Sequence, residues 1–169
     1  MSRTLGDIVN DGIEALDLIH DFYAHPLDRA ILLATVGHSG QVDKQNQPYI
    51  LHCIRVMLSG QTIEENIVGI LHDLLEDTSF SKENLKAYGF SDETIAAVIA
   101  LTKIKGQTLT DYYAQVKACP LALQVKLYDM EDNMSRLDSI QDEETKRRLT
   151  EKYQRGWETL TQNLEWEAF

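Results

Sequence analysis

The sequence predicts an all-α protein, and three observations carry that prediction. Long runs rich in Leu, Ile, Ala, Glu and Lys favour helix over strand. Apolar residues return at intervals of three and four along almost the whole chain. Only three prolines and nine glycines interrupt 169 residues, and several fall where a helix would start or stop.

Taken in order, Leu5 to Ile19 carries Leu5, Ile8, Val9, Ile13, Leu16 and Ile19 at helical spacing and predicts a first helix outside the core. His20 and His25 follow in the connection HDFYAHP and read as surface or capping histidines. Asp28 is the expected N-cap of DRAILLATVGHSG, a second helix with Ile31, Leu32, Thr35 and Val36 facing inward. A polar loop, GQVDKQNQP, leads to a third helix, PYILHCIRVMLSG, with Pro48 as its first residue, where a missing N–H costs nothing. Ile63 to Asp77 is the fourth. Ser81 then caps SKENLKAYG, with Asn84 at the position where a capping box places Glu, and Gly89 ends it. Ser91 caps a helix through Ile95, Val98, Ile99 and Leu101 to Lys103, and after the turn IKGQT another runs from Leu109 to Ala118. From Leu121, residues Leu123, Leu127, Met130, Met134 and Leu137 form the apolar seam of a buried helix. Its other side holds Asp129, Asp132, Asn133 and Arg136. Asp132 and Arg136 are expected to pair, which leaves Asp129 and Asn133 stacked one turn apart without a cation. From Asp142 a charged amphipathic helix presents Leu149, Tyr153, Trp157, Leu160 and Leu164 as its buried edge. No internal repeat or linker divides the chain, so residues 1–169 are expected to form a single domain.

Composition narrows the function. With 43% hydrophobic and 25% charged residues the chain is an ordinary globular one. A net charge of −11 argues against nucleic-acid polymers and anionic membrane surfaces as partners. A small phosphorylated molecule remains compatible, because it responds to the local field of a dication and a few lysines. No apolar run reaches the length of a membrane span. Cys53 and Cys119 form neither a disulfide framework nor a paired zinc motif and are expected to be buried free thiols, as suits a reducing cytoplasm.

The stretch with the most chemistry is IEENIVGILHDLLEDT, Ile63 to Thr78. As one helix it places Ile63, Ile67, Ile70, Leu71, Leu74 and Leu75 on an apolar face, and His72, Asp73, Glu76 and Asp77 on the opposite one. No basic side chain accompanies those four, and Gly69 leaves room above the backbone on their arc. Adjacent His and Asp are good ligands for a divalent cation, and two carboxylates one turn further on can handle the protons of an activated water. His52, on the preceding helix, and Asp129, on the later buried one, complete a set of two imidazoles and two carboxylates. Such mixed donors suit Mn²⁺ or Fe²⁺ better than Mg²⁺ and also accept Zn²⁺. No histidine follows His72, so a dinuclear centre is not expected.

These residues resemble a known family. His38-Ser39-Gly40-Gln41, Pro48-Tyr49-Ile50-Leu51-His52, Leu71-His72-Asp73 with Glu76-Asp77-Thr78, Leu101-Thr102-Lys103, and Val125-Lys126-Leu127-Tyr128-Asp129 with Asn133 recur in family order. In them the chain resembles the HD-domain phosphohydrolases, and among these the hydrolase domain of the RelA/SpoT alarmone enzymes and their small stand-alone relatives. The resemblance implies an HD-domain helical bundle and one Mn²⁺ held by His52, His72, Asp73 and Asp129. It implies water activation near Glu76 and Asp77, and removal of pyrophosphate from the 3′ position of ppGpp or pppGpp. Lys44, Tyr49, Lys103 and Asn133 fall where family members contact nucleotide or order the site. Three positions depart from the family pattern: the loop Val42-Asp43-Lys44-Gln45-Asn46 offers one lysine where a basic pair is usual, Cys53 replaces a proline, and Met130-Glu131-Asp132 lacks a basic residue. The alternatives are an HD nucleotidase that releases orthophosphate from another nucleotide, and a non-catalytic nucleotide-binding protein.

Overall fold

The computed structural model describes residues 25–162, which are helical apart from turns, loops and one isolated antiparallel bridge between Val42 and Pro48. The elements are α1 (Pro26–Gly37), α2 (Ile50–Ser59), α3 (Ile63–Leu71), α4 (Leu74–Asp77), α5 (Lys82–Ala87), α6 (Asp92–Leu101), α7 (Leu109–Lys117), α8 (Pro120–Ser135), a 3₁₀ turn (Leu137–Ser139) and α9 (Glu143–Thr161). The expected helix from Leu5 to Ile19, His20, and Leu164 all lie outside the described residues.

At the centre stands α3, which packs against α1, α2, α6 and α8. Its residues Ile67 to Leu71 are buried all round, as a helix enclosed by neighbours must be, while Ile63 at its start is exposed. Gly69 decides how closely α2 approaches. A Cβ there would lie 3.0 Å from Met57 Cα, 3.1 Å from Met57 N and 3.2 Å from Val56 O, so the space above this glycine is filled by the α2 backbone, not open as its arc in the sequence suggests. Neither backbone can yield cheaply. Gly69→Ala is therefore expected to destabilise the fold by about 1–3 kcal/mol, read as a lower denaturation midpoint at unchanged slope.

α8 is the second organiser and carries apolar groups to two cores. Ala122 and Val125 enter the main core with α1, α2, α3 and α6, whereas Leu123, Leu127, Met130 and Met134 of the predicted seam pack with Tyr112, Tyr113, Val116 and Leu160 of α7 and α9. Leu137 lies beyond the helix, in the 3₁₀ turn.

The helix signals fare unevenly. Ser81 and Asn84 close a reciprocal capping box on α5, so the shorter amide does the work of Glu. Ser91, Thr108 and Asp142 cap α6, α7 and α9 through side-chain oxygens. α1 starts earlier than Asp28: His25 Nδ1 accepts from Leu27 N at 3.2 Å, Pro26 takes the first helical position, and Asp28 lies in the first turn. Its buried face is Arg29, Ala30, Leu33 and Ala34, so Thr35 and Val36 point outward and Ile31 and Leu32 are only half-buried. Small alanines let α1 lie close on its neighbours, which overrides the larger residues beside them. Pro48 does not open α2 but bridges to Val42, with Tyr49 between it and the helix. Cys53 is fully buried and Cys119 partly so, both as free thiols.

Candidate functional site

The predicted central helix is broken at the residues that matter most. α3 ends at Leu71, Asp73 takes φ −100° and ψ 0°, and α4 resumes at Leu74. The His72 side chain accounts for the break, because its Nδ1–H donates to the carbonyl of Gly69 at 2.7 Å and takes over an acceptor of the helix's last turn. His72 is thereby only 2 % exposed, and it faces α2 and α8 instead of solvent.

Four side chains from three elements converge here. His52 Nε2 of α2 lies 3.2 Å from His72 Nε2 and 3.2 Å from Asp129 Oδ1 of α8. His72 Nε2 lies 2.9 Å from Asp73 Oδ2 and 3.7 Å from Asp129 Oδ1, and His52 Nε2 lies 3.8 Å from Asp73 Oδ2. The Nδ1 atoms of both imidazoles are spoken for, that of His72 by Gly69 and that of His52 by Asp132 Oδ2 at 2.7 Å. Both rings therefore aim their Nε2 atoms at two carboxylates: protonated, Nε2 pairs with them, and deprotonated, it joins them as a ligand of a cation. Burial alone would lower the His52 pKa, but hydrogen bonds to Asp129 and Asp132 and the nearby charges of Asp129 and Asp73 raise it to about 9. The donor set fits a divalent metal ion. His52, His72 and Asp73 alone form a group whose ligand atoms lie within 4.8 Å of one another.

The groups around these four hold them in place. Asp132 is clamped by Arg55, Nε to Oδ1 at 2.5 Å and Nη2 to Oδ2 at 3.1 Å, so it does not pair with Arg136. Burial would raise its pKa, yet His52 and Arg55 hold it at about 2. Arg136 instead reaches Asp43 at 2.6 Å. Asp129, expected to lack a cation, has Lys126 Nζ at 2.7 Å and accepts from Asn133 Nδ2 at 2.6 Å. Tyr49 donates its hydroxyl to Asp73. Asp132→Ala would leave His52 Nδ1 without its acceptor and Arg55 without its carboxylate. Metal affinity is expected to fall roughly 10–100-fold, measured by competition with a chelator, while helicity stays at the wild-type level.

Above the cluster opens a cavity of about 520 Å³. Its wall includes His52, Asp73, Glu76, Asp77 and Asp129, and also Lys44, Tyr49, Lys103 and Asn133. Every predicted site residue except His72 thus reaches this one space. The two predicted proton handlers differ in their surroundings. Glu76 Oε2 accepts from the Lys103 backbone N–H at 2.9 Å, whereas the Asp77 carboxylate has no hydrogen-bond donor among the described residues. Gln41 fixes the Asp77 backbone by donating Nε2 to its carbonyl at 2.8 Å, and its Oε1 accepts from His38 Nδ1 at 2.8 Å. Burial first, then the charges of Asp73 and Glu76, raise the Asp77 pKa above the usual carboxylate range.

Sequence reasoning overlooks Asp132, Arg55 and Lys126 as supports of the cluster. A signal exists in the spacing: His52 and Arg55 stand at i and i+3 on one helix, Asp129 and Asp132 at i and i+3 on another, as two facing rungs require.

The fold is the HD-domain helical bundle. In sequence and in fold alike the chain resembles the hydrolase domain of RelA/SpoT-type enzymes. It is 30% identical over 156 residues to a guanosine-3′,5′-bis(diphosphate) 3′-pyrophosphohydrolase of Aquifex aeolicus, covering 85% of this chain and 22% of that protein. It is 32% identical over 134 residues to a probable enzyme of the same name from Synechocystis, covering 70% of this chain and 18% of that protein. The chain therefore spans about a fifth of the length of these relatives. A solved structure of a metazoan ortholog of SpoT, described as hydrolysing ppGpp, superposes with a TM-score of 0.69 at 21% identity, over 81% of this chain and 86% of the other. No protein-family model matches the chain. Among the described residues no helix is long and apolar enough to cross a membrane.

Proposed function

We propose that the chain is a metal-dependent phosphohydrolase that removes the 3′-diphosphate of ppGpp as pyrophosphate. The observation that carries this reading is the meeting of two imidazole Nε2 atoms with two carboxylates at a cavity whose wall also bears Lys44 and Lys103. The names of the sequence relatives supply the substrate.

In this reading His52, His72, Asp73 and Asp129 hold one divalent ion, and their mixed nitrogen and oxygen donors favour Mn²⁺. Held there, such an ion would supply a lowered pKa to a water and polarisation to a phosphoryl oxygen. Tyr49 and Asn133 orient the Asp73 and Asp129 carboxylates and border the nucleotide, while Lys44 and Lys103 hold phosphate oxygens. Asp77 takes the proton of the attacking water, since no described residue donates to its carboxylate and burial with the charges of Asp73 and Glu76 raises its pKa and so its basicity. Glu76, held by the Lys103 N–H, fixes the α6–α7 loop against α4 and adds the negative field that raises Asp77. Hydrolysis adds water across the bond between the ribose 3′ oxygen and its phosphorus, so one GDP and one pyrophosphate leave per turnover. Two unbridged cysteines fit a reducing cytoplasm as the place of action.

The test is elemental analysis of protein purified without chelator, followed by a nucleotide panel before and after chelator treatment. About one transition metal per chain and chelator-sensitive turnover of ppGpp are expected. Turnover confined to nucleoside monophosphates, with orthophosphate as product, would instead establish the nucleotidase reading.

A further inference from the structure

The basic side chains around the cavity fall into two groups. Lys126 and Arg136 are neutralised by Asp129 and Asp43. Lys44, Lys103 and Lys152 line the same cavity and form no ion pair among the described residues, in a chain with 27 acidic and 16 basic side chains. Lys152 belongs to α9 and lies over the Tyr153 ring, its Nζ 5.4 Å from the ring centroid. Much of its surface is accessible, as an entering anion requires, yet its pKa is lowered by burial of the ammonium first and then by the charges of Lys126, Lys44 and Lys103. Such a gathering of like charge is unfavourable unless an anion occupies it.

Lys152 does not stand alone on its helix. Arg148, Lys152 and Arg155 sit at i, i+4 and i+7, one face of α9, and none of them has an ion-pair partner among the described residues. All three line a second cavity of about 390 Å³ between α7 and α9, and Lys152, Leu109 and Tyr113 are walls of both cavities. Arg148 also acts on Lys44, another wall of the first cavity. The basic row thus runs from the first cavity into the second, whose wall includes Glu151 but neither the His/Asp cluster nor Glu76 and Asp77.

We infer that Lys152, supported by Arg148, holds the phosphate group of the nucleotide that is not hydrolysed, and so selects nucleotides phosphorylated at two separate positions. This rests on the phosphohydrolase reading above. One end of the substrate meets the metal ligands and Asp77, and the other end lies along the α9 row, joined to the first by the nucleoside. A contact to the remote group strengthens binding in ground and transition states alike and leaves the chemical step nearly untouched.

Two substrates separate this role from a structural one: guanosine 3′,5′-bis(diphosphate), and guanosine 3′-diphosphate with a free 5′ hydroxyl. Lys152→Gln and Arg148→Gln are expected to raise KM for the first by about tenfold with kcat held within about twofold, and to leave both constants for the second unchanged. Lys152→Arg restores KM for the first. Arg147→Gln, which removes only an exposed link to Glu144 and Glu151, changes neither substrate. Equal effects of Lys152→Gln on both substrates, or none on either, would overturn the subsite while wild-type hydrolysis still upheld the reaction. A metal-loaded wild-type protein that cleaves neither substrate would overturn the reaction itself, and the subsite with it.

Discussion

Replacing His72 by alanine is expected to strip the protein of its metal and reduce turnover to background, the largest single effect on this site. His72 is 2 % exposed, its Nδ1 is committed to Gly69, and its Nε2 lies 2.9 Å from Asp73 Oδ2. Losing a mere support of a ligand costs roughly 10–100-fold in metal affinity, so loss of the ligand itself should cost more than that. The variant also frees the Gly69 carbonyl and leaves a void beneath the cavity, so helicity and the unfolding midpoint are measured beside metal content. A folded His72→Ala protein that retains about one metal per chain would show that His72 is structural.

Asp77→Asn is expected to lower kcat by roughly 10²-fold or more with metal content unchanged. The amide keeps size and packing and removes the capacity to accept a proton. Glu76→Gln should cost less, because a glutamine oxygen can still accept from the Lys103 N–H that engages Glu76 in the wild type. The order of the two effects matters as much as their size. If Glu76→Gln is the more damaging variant while both keep their metal, the proton passes through Glu76, and Asp77 has the lesser role. If Asp77→Asn loses its metal with helicity intact, Asp77 is a ligand and the separation of cation holding from proton transfer along α4 fails.

Local rules made much of this fold legible, and they stopped where a side chain had two possible partners. The α8 seam could be read because a helix with Leu123, Leu127, Met130 and Met134 on one side has few ways to hide them. The α5 cap was legible too, since Ser81 and Asn84 are three residues apart and need no distant partner. Asp132 departs from its expected pairing for the opposite reason. Arg136 is its neighbour on the helix, but Arg55 and His52, 77 and 80 residues away in sequence, offer a charge-assisted contact at the buried end of α2. That exchange released Arg136 to Asp43 and set the His52 tautomer. The break between His72 and Asp73 follows from one side-chain bond to Gly69, which periodicity does not register. Even so, the ligand candidates converge as the His-Asp pairing suggested, because His52 and Asp129 stand on the two helices that flank α3.

The most direct measurement is ³¹P NMR of ppGpp incubated with metal-loaded protein. The expected spectrum gains pyrophosphate and GDP in equal amounts as the signals of the 3′-diphosphate disappear, and the reaction stops when the metal is removed. Release of orthophosphate in place of pyrophosphate, or an unchanged spectrum from protein carrying about one metal per chain, would contradict the assignment of this cavity to hydrolysis at the 3′ position.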